Sequence, residues 1–248
     1  MKTYNIDDWN IYHFSKIGST NDSAKSHSMT AHEEKFGIIS DIQISGKGRR
    51  GREWASPEGN LYSSLGFSLD YMDFNNIGEV AFIVSLAVRD TILELAPKLE
   101  DNLKLKWPND VLINGKKISG ILLEKTDDYL IVGVGVNIVE LPNINNILYQ
   151  ATSLKNEGFE ISRDDFLQTY VRKFDYWLQT RKDNSFKLIR DNWLKSAKGI
   201  NTEIKVNYPT KSISGKFIGL DENGGLLLEA DGKTQTIYAG DVFFNESE

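Results

Sequence analysis

The chain has 248 residues, 40% of them apolar and 26% charged, with a formal net charge of −6 and no cysteine. This length supports one large domain, or a main domain with a small satellite, around a sizeable core. The missing cysteines exclude disulfides, thiolate zinc sites and thiol nucleophiles, and the acidic balance argues against bulk affinity for nucleic acid or anionic membrane.

The first residues, Met1–Trp9, carry two aspartates and no apolar core, so they do not read as a signal peptide. Ile11–Ile17 reads as a strand, after which Ser19-Thr20-Asn21-Asp22 starts a helix with a hydroxyl residue as N-cap and acid in the first turn. His13, His27 and His32 lack the i, i+4 spacing of helical metal ligands. Gly37–Ile44 reads as a strand leading into Gly46-Lys47-Gly48-Arg49-Arg50-Gly51-Arg52, with Trp54 two residues further on. Four cations and three glycines in seven residues can fold back on themselves and present N–H groups and guanidinium forks to one polyanion. A solvated turn would use the same residues, and the pattern is not the GxxxxGK[ST] phosphate loop.

Leu61–Leu69 alternates in the period of a strand, and Gly78–Ala96 places Val80, Val84, Ala87, Val88, Thr91 and Leu95 at helical spacing before Pro97. Its apolar stretch Val80–Val88, the longest in the chain, is interrupted by Ser85 and too short to span a bilayer. Leu103, Leu105 and Trp107 alternate with lysines up to Pro108, so Lys106-Trp107-Pro108-Asn109-Asp110 puts a lysine, an amide and a carboxylate at a strand end. Val111–Ile113 and Ile118–Glu124 flank Asn114-Gly115, a hairpin signal, with Lys117 beside the turn and Gly120 inside the second strand. A lysine beside a turn is usually solvated; a glycine inside an apolar strand more often marks a close approach.

Tyr129–Ile138 reads as a strand carrying Gly133 and Gly135 and ending at Asn137, without the GxGxxG of a dinucleotide fold. Glu140–Thr152, rich in asparagine, reads as a functional loop. Ser162-Arg163-Asp164-Asp165 resembles a capping box ahead of an amphipathic helix through Phe166, Tyr170, Phe174 and Trp177, and a second helix is expected over Phe186–Leu194. Beyond Lys198-Gly199, short apolar runs alternate with turn clusters such as Asp221–Gly225 and Asp231-Gly232, the texture of a small β-barrel. The expectation is α+β over residues 1–197, then an all-β unit over 198–248.

Taken together and in this order, Ser19-Thr20-Asn21, Gln43–Trp54, Ser56-Pro57 with Gly59–Tyr62, Lys106–Asp110, Lys117–Glu124, Gly133–Asn137 and Ala151–Leu154 resemble the biotin protein ligases. The resemblance spans nearly the whole chain, and its glycine-arginine and Lys-Trp-Pro-Asn-Asp motifs are specific to that family. It implies a catalytic domain related to class II aminoacyl-tRNA synthetases, with a mixed, largely antiparallel sheet, and an SH3-like C-terminal domain. It also implies a two-step reaction using ATP, biotin and Mg2+. Biotin is activated as biotinyl-5′-AMP and then transferred to a lysine of a biotin carboxyl carrier protein domain.

Carried over by motif, Ser19, Thr20, Asn21, Gln43, Gly46, Lys47, Arg49, Lys117, Gly120 and Gly133 would bind biotin. Arg49, Arg50, Arg52, Trp54, Lys106, Asn109, Lys117 and Asn137 would bind ATP and the adenylate. Lys117, Asp110 and Arg49 would act in catalysis, and the motifs name no metal ligands. Clustered cations suit this chemistry, because a carboxylate must be brought to a triphosphate against their repulsion. Lys47 departs from the arginine the family commonly has there, exchanging a bidentate fork for a point charge. With no helix-turn-helix ahead of Ser19, the DNA-binding role of some relatives is not expected. A cytoplasmic monomer or homodimer without membrane attachment is. A lipoate-type ligase on the same architecture, or a nucleic-acid-binding protein using the basic loop, are the alternatives.

Overall fold

The computed structural model describes residues 1–30, 32–72, 74, 76–141, 150–208 and 211–244. Their elements run β1 (Lys2–Ile6), β2 (Trp9–Ile17), α1 (Thr20–Ser28), β3 (Lys35–Gln43), β4 (Leu61–Ser68), α2 (Leu69–Met72), α3 (Glu79–Leu95), β5 (Leu103–Lys106), β6 (Asp110–Ile113), β7 (Lys116–Lys125) and β8 (Tyr129–Val136). Then come α4 (Arg163–Asp183), α5 (Phe186–Lys195) and the strands β9 (Glu203–Asn207), β10 (Ser212–Leu220), β11 (Leu226–Ala230), β12 (Lys233–Ile237) and β13 (Asp241–Phe244).

Eight strands form the main sheet in the order β1-β2-β3-β4-β8-β7-β6-β5. Only β2 and β3 pair in parallel, joined by a crossover through α1. The fold is therefore α+β with a mixed, largely antiparallel sheet, as expected. The remaining five strands form an antiparallel sheet in the order β12-β11-β10-β9-β13. Its apolar residues Val206, Phe217 and Leu228 join the same core as the main sheet.

Alternation along β8 explains both faces of the main sheet. Leu130, Val132, Val134 and Val136 enter the large core shared with α3 and α4. Tyr129 and Ile131 point the other way, into a smaller cluster with Phe36, Ile38 and Ala24 of α1. The next two residues on the α1 side are Gly133 and Gly135, so that face loses its side chains where the strand reaches the end of the sheet.

Several local expectations carry over. Asn114 and Gly115 take φ of 51° and 76°, the left-handed pair that a two-residue hairpin turn requires. Ser162 caps α4, its hydroxyl accepting from the Asp165 N–H at 3.0 Å and donating to the Asp165 carboxylate at 2.7 Å. Two expectations are corrected. Strand β4 ends at Ser68, and Leu69 instead opens the helical turn α2, its N–H donating to the Asp128 carbonyl. Ser19 holds the N-cap position of α1, but its side chain makes no capping bond. Strand β1 had no sequence signal, because only Ile6 of Lys2–Ile6 is buried. Most of the Glu140–Thr152 loop, residues 142–149, lies outside the described residues.

Candidate active site

The bare stretch of sheet becomes the floor of a cavity of about 280 Å³. Gly120 of β7 pairs with Gly135 of β8, and the Trp54 indole lies on both. A Cβ at Gly120 would come within 2.8 Å of Trp54 Cζ3, and one at Gly135 within 2.5 Å of Trp54 Cε2. Any side chain at either position would expel the ring, so the glycine inside an apolar strand is explained by close approach. Trp54 Nε1 is buried without a hydrogen-bond partner among the described residues.

One end of the cavity is polar and neutral. The Thr20 N–H and hydroxyl both donate to Gln43 Oε1, at 2.8 and 3.0 Å. That amide oxygen satisfies a helix N–H that the Ser19 hydroxyl leaves alone. Gln43 Nε2 donates to Ser56 Oγ at 2.9 Å, and Ser56 donates to the Trp54 carbonyl at 2.9 Å. The Thr20 hydroxyl proton is thus committed inward, leaving its oxygen to accept, while one Gln43 N–H remains to donate. Asn21 is fixed as firmly: Ser64 donates to its Oδ1 at 2.6 Å and its Nδ2 donates to Glu124 Oε2 at 2.7 Å. Gly133 lies directly beneath it, where a Cβ would collide with Asn21 Oδ1.

The other end is cationic. The basic loop closes on itself: the Trp54 N–H donates to the Gly46 carbonyl, and the Gly48 N–H to the Arg52 carbonyl. Between them lies a single 3-10 turn, Arg49–Gly51, in which Arg50 and Gly51 take φ of 56° and 72°. Gly46 is required there, because a Cβ would strike the Trp54 carbonyl. Arg49 Nη1 donates to Asn109 Oδ1 at 2.9 Å, and Asn109 Nδ2 donates to the Ile121 carbonyl at 2.5 Å. Burial pulls the Arg49 guanidinium below its ordinary value. Arg50 Nη1 and Arg52 Nη2 grip opposite oxygens of Asp241 on β13, at 3.0 and 2.9 Å.

Lys106 and Lys117 complete the cluster around Asp110, which is only 10% exposed at its side chain. Lys117 Nζ lies 2.5 Å from Asp110 Oδ1, and Lys106 Nζ 3.9 Å from Oδ2. The Lys117 ammonium also stands 5.4 Å from the centre of the Trp54 ring. Burial pushes Lys106 down to about 8; Asp110 acts against that shift and Lys117 adds to it. The register places these groups: Asp110 pairs with Gly120, and the peptide bond Trp107–Pro108 ahead of it is cis.

Of the residues expected from the motifs, Ser19, Thr20, Asn21, Gln43, Lys47, Arg49, Arg52, Trp54, Lys106, Asn109, Asp110, Lys117, Gly120, Gly133 and Asn137 line this one cavity. Two do not. Arg50 turns outward to Asp241, and Gly46 lies at the neck of the loop behind Trp54 and Ser56. Lys47 lies on the wall with its ammonium turned to Asp22, at 2.6 Å. Asn137 is buried with Nδ2 on the Thr152 carbonyl at 3.0 Å, so it fastens the 150s segment to the site. Ser56 and Glu124 stand inside the matched motifs without an assigned role, and Asp241 and Ser64 have no sequence signal, because Glu124, Asp241 and Ser64 join by contacts across the fold. Among the described residues no three His, Cys, Asp or Glu side chains group as metal ligands.

The family model for the biotin/lipoate A/B protein ligase family matches residues 14–137, and that for the biotin protein ligase C-terminal domain matches residues 199–245. A biotin–[acetyl-CoA-carboxylase] ligase of Paracoccus denitrificans is 34% identical over 221 residues, covering 84% of this chain and 89% of the relative. The bifunctional ligase/repressor BirA of Bacillus subtilis is 32% identical over 241 residues, covering 94% of this chain and 73% of the relative. A biotin protein ligase structure from Aquifex aeolicus in complex with biotin and ATP superposes with a TM-score of 0.81 at 29% identity, covering 94% and 97% of the two chains. This chain belongs to the biotin/lipoate A/B protein ligase family.

Proposed function

We propose that the chain is a biotin–[biotin carboxyl-carrier protein] ligase, joining biotin to a carrier-domain lysine at the expense of ATP. The observation that carries the reading is one cavity with a neutral hydrogen-bonding end at Thr20 and Gln43 and a cationic end at Arg49, Lys106 and Lys117. A cyclic urea has adjacent N–H donors and a carbonyl acceptor, which the Thr20 oxygen and the free Gln43 N–H complement. The opposite end suits a carboxylate and a triphosphate meeting in one place.

In the first step a biotin carboxylate oxygen bonds to the α-phosphorus of ATP as the bond to the bridging oxygen breaks, and pyrophosphate leaves. Lys117 and Arg49 offset the charge that accumulates there, with Arg52 and Lys106 further along the phosphates. In the second step the carrier lysine, as free amine, attacks the acyl carbon and AMP leaves with the C–O electron pair. That amine is mostly protonated at neutral pH. Asp110, freed once Lys117 turns to the phosphate, takes its proton. Trp54 packs beside the adenylate, and the loop from Gly46 to Arg52 excludes water from it.

Magnesium belongs in this reading to the nucleotide substrate, whose phosphates would bind it together with retained waters. Residues 1–197 form the catalytic unit, and residues 198–248 contribute Asp241. The basic loop is assigned to nucleotide rather than to nucleic acid because its arginines have defined partners that line the cavity, namely Asn109 and Asp241. No helix among the described residues is long and apolar enough to cross a membrane. The reading places the enzyme in the cytoplasm with its carrier.

Incubation with biotin, MgATP and a biotin carboxyl carrier domain should add one biotinyl group to the carrier, seen by mass spectrometry. Omitting ATP should abolish the product, and a carrier that stays unmodified with all components present would refute the reading.

A further inference from the structure

Lys47 belongs to the basic loop, but its ammonium does not face the cationic end of the cavity. It sits between both oxygens of Asp22, at 2.7 Å from Oδ1 and 2.6 Å from Oδ2, a placement that a compact point charge suits. Asp22 lies in the first turn of α1. It also pairs with Lys25 at 3.2 Å, and Lys25 pairs with Glu124 at 2.7 Å. The other oxygen of Glu124 holds Asn21 on the cavity floor at 2.7 Å. Charges therefore alternate without a break from the neck of the loop to Asn21. At that neck, the Lys47 and Glu53 backbones pair in an isolated antiparallel bridge.

The remaining loop cations run to the other side. Arg49 reaches Asn109, while Arg50 and Arg52 reach Asp241. Lys47 is thus the side chain that fastens the loop toward α1.

We propose that Lys47 is a positioning residue, a latch that closes the basic loop on Asp22, and that Glu124 anchors this latch to Asn21 at the floor. The ligand it retains is biotin, so this part rests on the ligase reading. Lys47 and Asp22 are 45% and 44% exposed at their side chains. The latch is consequently weak, reversible and salt-sensitive.

The test uses the full chain in two measurements. The first is amide exchange of residues 46–54 without ligand; the second is release of bound biotin followed by chase. Lys47→Gln and Asp22→Asn should each speed both by about three- to fivefold. The double variant should be no faster than either alone, because the two residues form one contact. Lys47→Arg, which keeps the charge, should stay closer to the wild-type rates than Lys47→Gln, and 1 M salt should speed the wild type more than the uncharged variants.

Additive effects would overturn the latch. So would a rise in the ATP KM with Lys47→Gln that Asp22→Asn does not reproduce, since that is the signature of a phosphate ligand. If the wild-type chain bound no biotin, the ligase reading would fall. The exchange measurement would then still decide whether the latch holds the loop.

Discussion

Lys117 Nζ lies 2.5 Å from Asp110 Oδ1, so the ammonium assigned to the α-phosphate and the carboxylate assigned to the incoming lysine neutralise each other across the cavity wall. The pairing keeps a nearly buried carboxylate satisfied while no substrate is bound. In the proposed reaction it would also order the two steps, because the negative charge that draws Lys117 away is the same charge that releases Asp110.

The first prediction concerns this pair. Lys117→Gln should slow single-turnover adenylate formation by about 10²–10³, the scale of losing one preorganised charge-stabilising donor. Biotin affinity should change far less, because the charge matters most when the α-phosphorus is attacked. Equal loss in affinity and in rate would return Lys117 to a simple binding role.

Removing Arg49 should open the seal over the intermediate. Arg49 ties the 3-10 turn of the loop to Asn109, which is itself held on β7 through the Ile121 carbonyl. In Arg49→Gly the adenylate should escape and label lysines of bystander proteins. Mass spectrometry of a mixture with albumin would detect this, and product confined to the carrier would show that the seal lies elsewhere.

Asp241 belongs to the C-terminal sheet yet holds two arginines of the loop. Asp241→Ala should release both and raise the ATP KM by about three- to tenfold, the scale of one ordinary intramolecular hydrogen bond. Biotin binding, measured by calorimetry without nucleotide, should change less than twofold (about 0.4 kcal/mol). An unchanged ATP KM would reduce Asp241 to an interdomain contact.

Lys106 supplies a pH dependence. Its folded value of about 8 is below the ordinary 10.5, chiefly through burial. Between those two values the unfolded chain keeps the proton and the folded chain has lost it, so this group makes stability rise with pH across that window. Below pH 8 the folded state carries the full cost of the buried charge. Bound phosphates favour the charged form, so ATP binding near pH 8.5 should take up part of a proton. Calorimetry in two buffers of different ionisation enthalpy measures that uptake. Lys106→Arg should abolish the buffer dependence, and its absence in the wild type would contradict the assignment.

Much of this was legible in the sequence where the signal is local. Asn114-Gly115 specifies its own backbone, Ser162–Asp165 caps its own helix, and the glycines of the basic loop fold it back within nine residues, Gly46 to Trp54. The site residues also fall in a few short motifs, and most of them line one cavity. What stayed hidden depends on distant partners. Nothing near Asp241 marks it as a partner of Arg50, 191 residues away. Glu124 looks like an ordinary polar end to β7 until α1 brings Asn21 and Lys25 to it. The Trp54 indole needs Gly120 and Gly135 from adjacent strands, a pairing set by register and not by spacing.

Biotin-dependent exchange of labelled pyrophosphate into ATP measures the proposed joining of biotin to ATP in this cavity. Exchange should require biotin, should not be supported by lipoate, and should be lost in Lys117→Gln. Exchange with lipoate but not with biotin would contradict it.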